Sequence, residues 1–231
     1  MKKLRVLPST GLCFALPVVL FAAYWSERPF SQVISTQTIS LRDLSPQQKL
    51  NVQNAAARLH GAIVKPQEGF SFNERVGPRT VRRGYLPAPS YVGVGAPNTV
   101  GGGICLLSSA LYEDALTAGL KVTKRTPHMR TIHSVPPGLD ATVWYGIYDL
   151  ALFNTFSSPI KIATTYSPDD ITITITGSYP SRDWKPATIS RREIHPSPTV
   201  VSVIVTTTQF GKTQVVSNDN YTTTQVGART R

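Results

Sequence analysis

Residues 170–178 read DITITITGS, with isoleucine at every second position and threonine between. That period puts all the isoleucines on one face of a β-strand, whereas a helix would scatter them round its axis. A chain carrying this segment must therefore supply a core on one side of a sheet. Similar β-branched and aromatic enrichment recurs in LKVTKR (120–125), ATVWYGIYDLALFN (141–154) and IKIATTYS (160–167), each read as a strand. Residues 199–226 read as a closing hairpin that turns at Phe210, Gly211 and Lys212.

The first half has a different pattern. Residues 26–40 suit a polar linker or a first strand, since SQVISTQTIS alternates. Ser45-Pro46-Gln47-Gln48 combines an N-cap serine, a proline at the first helical position and a glutamine at the third, which starts a helix that Gly61 stops. A second helix is expected over 104–118, with Ile104, Leu107, Leu111, Ala115 and Ala118 on one stripe and Gly119 closing it. Between Pro66 and Gly103, frequent glycine and proline predict short strands and ordered turns. Helices early and antiparallel strands late give an α+β fold: two main helices packed on a mostly antiparallel sheet, with a β-rich C-terminal part.

Compartment follows from the N-terminus. Lys2, Lys3 and Arg5 precede the apolar run GLCFALPVVLFAAYW (11–25), the layout of an export signal. Residues 1–25 are thus expected to be a signal peptide or an N-terminal membrane anchor, with the body extracytoplasmic, either held at the cytoplasmic membrane or secreted to the cell wall or periplasm. The net charge of +11 favours a polyanionic neighbourhood, but the charge is scattered, and with export this disfavours nucleic acid.

Export also isolates one thiol. The chain has two cysteines, and Cys13 lies in the leader, so Cys105 is left without an intrachain partner. It follows three glycines, Gly101 to Gly103, and sits where a helix begins. Glycines permit a sharp turn, and the positive end of a helix favours a thiolate. Gly102, Gly103 and Ile104 are candidate backbone donors to an oxyanion. The bland alternative is a small buried cysteine. No GK[ST] follows the glycines and no GxGxxG spacing is present, so phosphate or dinucleotide binding is not expected. Neither a metal nor a cofactor is called for, because the histidines lack HxH or HExxH spacing. A nucleophilic thiolate needs a base and the base an orienter. His128, His133 and Asp140 follow in that order, and the residues alone leave the choice of histidine open.

Taken in order, GFSFNERVGPRTVRRGYLPAPS (69–90), VGGGICLLSSALYEDALTAGL (100–120), RTPHMRTIHSVPPGLDATVWYGIYDLALFN (125–154) and PIKI (159–162) resemble the VanW family. The resemblance spans residues 40–180 and leaves 181–231 as a β-rich C-terminal extension. It implies an exported protein associated with B-type vancomycin resistance. For some members it implies L,D-transpeptidation, in which a cysteine acyl-enzyme forms 3-3 cross-links between peptidoglycan stem peptides. Carried over, the GGGxC cysteine is Cys105, the histidine is His128, and the aspartate of DATV is Asp140. Leu106 stands where the family carries glutamine, and Ser134 where it carries tyrosine.

On that reading, Cys105 attacks the carbonyl of a stem peptide, His128 relays the proton and Asp140 fixes the imidazole. Arg79, Arg82 and Arg83 are candidates for the stem carboxylates, against the simpler expectation of a solvated basic edge. Tyr85, Tyr91 and Tyr112 suit either a groove or the core. Two other functions remain alternatives: a non-catalytic accessory protein of the envelope, or a cysteine peptidase or amidase of the wall.

Overall fold

The computed structural model of the chain describes residues 28–90 and 98–223. The proposed leader with Cys13, and Tyr91 with its glycine-rich neighbours, lie outside the described residues. The chain runs β1 (Gln32–Ser40), α1 (Pro46–Leu59), β2 (Ala62–Val64), β3 (Gly69–Ser71), α2 (Phe72–Val76), β4 (Pro87–Ala88), β5 (Thr99–Val100) and α3 (Cys105–Ala118). It continues through β6 (Lys121–Lys124), β7 (Ala151–Phe153), β8 (Ile160–Tyr166), β9 (Asp170–Gly177), β10 (Thr188–Ser197), β11 (Val200–Gln209) and β12 (Lys212–Thr222). The class is α+β, with antiparallel sheets and a β-rich C-terminal part.

The alternating segment is β9, an inner strand of a sheet ordered β1-β9-β8-β2. Ile171, Ile173 and Ile175 are wholly buried, each contributing roughly 1.5–3 kcal/mol of apolar burial. On the other face the threonines pair across the strands: Thr38 Oγ1 lies 2.8 Å from Thr172 Oγ1, and Thr36 Oγ1 lies 3.2 Å from Thr174 Oγ1. Such pairs fix the register, because a one-residue slip would turn every isoleucine to solvent. Helix α3 packs on β1 and β9, and α1 packs on β8.

Helix α1 begins with the expected capping box. Ser45 Oγ accepts from Gln48 N at 3.3 Å, and Gln48 Oε1 accepts from Ser45 N at 3.0 Å. Helix α3 departs from the single apolar stripe expected of it. Leu106, Leu107, Ala110, Leu111, Ala115 and Leu116 are all buried, and so are the polar Ser108, Ser109 and Asp114. A helix covered on most of its faces is a core element, and its serines must find partners inside the protein.

Two segments were read differently from sequence. Residues 72–76 form the short helix α2 within a stretch expected to be strands and turns; Ser71 Oγ caps it by accepting from Glu74 N at 3.0 Å. Residues 141–154 were expected to be one long strand, but only Ala151–Phe153 is extended. A tight turn at 144–148, with Gly146 at φ 82°, interrupts the segment, and its aromatic residues line a cleft. The closing hairpin turns at Phe210 and Gly211, with φ of 51° and 72°, as a two-residue loop requires. Its other neighbour, β10, carries charged and exposed residues and pairs with β11 as an edge strand. Val201, Val203, Val205 and Tyr221 of this C-terminal sheet belong to the same hydrophobic core as the helices.

Candidate active site

The glycine turn is fixed from two sides. Asn51, fully buried on α1, donates from Nδ2 to Leu86 O at 2.9 Å and to Gly102 O at 3.0 Å. Its Oδ1 accepts from Leu86 N at 2.8 Å. Gly101 and Gly103 have φ of 89° and 99°, a region that side-chain-bearing residues avoid. Gly102 is required for space instead: a Cβ there would lie 2.2 Å from Ala88 O.

The turn delivers Cys105 to the first position of α3, and no side chain among the described residues caps this end. Of the three amides expected to serve an oxyanion, Gly102 N donates to Thr99 O at 3.0 Å and Ile104 N donates to Gly101 O at 3.3 Å. Only the amide of Gly103 is left without a hydrogen bond among the described residues, and that of Cys105 itself joins it. Uncapped N–H groups at a helix start suit a developing negative charge.

The segment that carries Asp140 is pinned to the first turns of α3. Ser108 Oγ donates to Ala141 O at 2.7 Å, and Ser109 Oγ accepts from Ala141 N at 2.9 Å while donating to Cys105 O at 2.6 Å. These are the partners that the buried serines needed.

Asp140 accepts at both carboxylate oxygens. Oδ2 takes His128 N at 2.6 Å and lies 2.7 Å from His128 Nδ1. Oδ1 takes Arg125 Nη2 at 2.9 Å and the Tyr221 hydroxyl at 2.6 Å. Burial by itself would raise the carboxyl's pKa, but the His128 hydrogen bonds, the Arg125 charge and Tyr221 prevail and lower it. An ionised Asp140 makes Nδ1 the donating nitrogen, so Nε2 is the one left to exchange a proton. Burial opposes a charge on His128, yet the hydrogen bonds with Asp140 and Cys105 outweigh it and raise the pKa to about 9. The Cys105 thiol also donates to Val143 O at 3.7 Å.

Cys105, His128 and the glycine turn line one cleft of about 840 Å³. Thr142–Tyr145, Ile147 and Tyr148 form part of its wall, with Trp144, Ile147 and Met129 among its exposed apolar residues. Leu106, Ser134 and the exposed His133 line it too, and so does Arg79. Arg82 and Arg83 are not among the lining residues: Arg82 is exposed, and Arg83 donates to Val76 O at 2.9 Å. Tyr85 and Tyr112 are core residues.

Three residues went unassigned from sequence. Arg125 donates from Nε to Asp140 O at 2.7 Å, pairs with Asp219 through Nη1, and lies over the Tyr112 ring at 5.1 Å. Asp219 and Tyr221 come from β12, and Tyr221 Oη also accepts from Gly138 N at 2.8 Å. Arg125 stands three positions before His128 in the motif already quoted. Nothing local to NDNYT announces that it meets Asp140.

Sequence comparison adds an independent line. The protein YoaR of Bacillus subtilis is 39% identical over 128 residues, covering 55% of this chain and 42% of that protein. Vancomycin B-type resistance protein VanW of Enterococcus faecalis is 30% identical over 131 residues, covering 52% of this chain and 46% of that protein. The matched part therefore spans less than half the length of either relative. No solved structure matches the chain. The family described as VanW like protein matches residues 47–176, a stretch that contains Cys105, His128 and Asp140, and the chain belongs to that family.

Proposed function

We propose that this protein is an envelope cysteine acyltransferase that acts on peptidoglycan stem peptides in the manner of an L,D-transpeptidase. The observation that carries the reading is His128 held by Asp140 at 2.7 Å in the cleft that Cys105 also lines, with Cys105 acting on the titration of His128 and sitting at a helix start that no described side chain caps.

The chemistry follows from those positions. The Cys105 thiolate attacks the amide carbonyl between an L centre and a terminal D-alanine of a stem, and the oxyanion meets the Gly103 and Cys105 amides. The imidazolium of His128 gives its proton to the departing amine as the C–N bond breaks, leaving a thioester. An amine of a second stem then attacks the thioester, His128 takes the proton, and the thiolate leaves as the new amide forms. Asp140 holds the ring in one tautomer and balances its charge throughout. The name of the Enterococcus faecalis relative places that protein in vancomycin resistance, which is consistent with work on the cell wall. Export to the envelope is part of the same proposal and rests on the leader described from sequence.

The full-length chain incubated with tetrapeptide-containing muropeptides should yield 3-3 dimers by mass spectrometry, with a thioester trapped on Cys105. No dimers and no thioester would rule the reaction out. Cleaved stems without dimers would make water the acceptor, and wall binding that survives Cys105→Ala without turnover would make the protein an accessory.

A further inference from the structure

The wall of the cleft contains a cation with unused hydrogen-bonding capacity. Arg79 Nη1 donates to Asn73 Oδ1 at 2.7 Å and to Gly77 O at 3.1 Å, and the guanidinium lies over the Phe72 ring at 5.5 Å. Its stem runs against the glycine turn, where a Cβ on Gly101 would lie 2.9 Å from Arg79 Cβ and Cγ. The group is thus held from three directions, and its stem touches the turn at Gly101, four residues before Cys105. Its Nη2 is buried and has no hydrogen-bond partner among the described residues.

Arg79 also has no ion pair among the described residues. Asp149, whose charge reaches it, accepts instead from Ser71 Oγ at 2.5 Å and from Asn73 N at 2.9 Å. Burial lowers the pKa of Arg79, and the neighbouring titratable groups, Tyr85 first among them, only partly offset it. A buried guanidinium nitrogen without an acceptor costs free energy unless something else supplies one. Arg79 lines the cleft, and the shape and charge of its guanidinium fit a carboxylate.

We infer that Arg79 is the anchor for a free carboxylate of the substrate, so that the cleft takes peptides ending just beyond the bond to be broken rather than internal peptide bonds. The inference rests on the proposed reaction at Cys105 only for the position of that bond. Binding of the carboxylate does not require turnover. Arg82 and Arg83 have no part in it, because neither lines the cleft.

The test is calorimetric titration of the full-length chain carrying Cys105→Ala with Nα,Nε-diacetyl-L-lysyl-D-alanine and with its C-terminal carboxamide. The acid should bind at least about tenfold tighter than the amide, the scale of one charged hydrogen bond, and Arg79→Gln should bring the ratio to about one. If Arg79→Gln does not fold, Arg79→Lys, which keeps the charge and loses the fork, should reduce the ratio without abolishing it. Equal affinities with Arg79 present, a preference that persists in Arg79→Gln, or no saturable binding of the acid would each overturn the inference. Equal affinities combined with slower alkylation of Cys105 when Arg79→Gln is made in the chain that keeps Cys105 would overturn the inference and make Arg79 a partner of the thiol instead. Acid preference without muropeptide turnover would sink the acyl-transfer reading and leave the anchor standing; turnover without acid preference would do the opposite.

Discussion

The Tyr221 hydroxyl donates to Asp140 Oδ1 at 2.6 Å, so a residue 81 positions further along the chain completes the carboxylate that orients His128. Tyr221 lies beyond the family match at residues 47–176, as does Asp219, which pairs with Arg125. Their part of the chain has a direct role in the charge balance at the site. Arg125 alone beside Asp140 would cancel the charge that favours an imidazolium, and Asp219 offsets Arg125.

Asp219→Asn should therefore lower the proton affinity of His128, read as a downward shift in the NMR titration of its ring protons. Asp219→Glu should restore it. A purely structural contribution would lower the melting temperature and leave the titration midpoint in place. Tyr221→Phe removes an acceptor from Gly138 N and a donor to Asp140, and should cost about 1–3 kcal/mol in denaturant unfolding.

His128 itself should titrate near pH 9 in the folded protein, against an ordinary value of 6.5. A raised histidine pKa means that the folded state binds the proton more tightly. The stabilisation is complete below about pH 6.5 and is lost as pH rises through about 9. Unfolding free energy should fall across that window by up to about 1.4 kcal/mol per pH unit, and His128→Gln should flatten that part of the profile.

Asp114 has the opposite relation to pH from the usual carboxylate. It is 1% exposed, neither carboxyl oxygen has a hydrogen-bond partner among the described residues, and Ser35 Oγ donates instead to its backbone carbonyl at 3.1 Å. Burial, aided by the Glu113 charge, raises its pKa from 3.8 to about 7. The folded state then holds a proton that the unfolded chain releases, so stability falls as pH rises from about 4 to about 7. Asp114→Asn should remove this slope and stabilise the protein at pH 8, measured by urea unfolding at several pH values.

Gly102→Ala should damage the site more than its size suggests. The added methyl would lie 2.2 Å from Ala88 O and 2.6 Å from Pro89 O, both backbone atoms of the neighbouring segment. Relief requires the turn to move away from Asn51, at about 1–3 kcal/mol or more. Loss of stability together with altered alkylation of Cys105 by iodoacetamide would show that the turn positions the thiol; an unchanged rate and melting temperature would refute that.

Local pattern was enough to place β9, the capped start of α1, and the hairpin at Phe210 and Gly211, because each rests on short-range sterics or on a period within one segment. The same kind of signal was present at Ser71 and Glu74, where a capping pair starts a helix inside a glycine-rich stretch. The aromatic run at 141–154 read as a strand by composition, but tertiary structure uses its side chains as the wall of a cleft and its backbone in a turn. At the site, sequence pointed to Cys105, His128 and Asp140 by residue type, order and family resemblance. It contained no distances, so it did not reveal that the Gly102 and Ile104 amides are spent within the turn. Nor did it distinguish Arg79 from Arg82 and Arg83 as the arginine facing the thiol's cleft. Sequence by itself determined the α+β class and the chemistry available at one helix start. Only the tertiary structure brought Asp219 and Tyr221 to Arg125 and Asp140, because charge balance in a buried cluster depends on contacts between segments far apart in the chain.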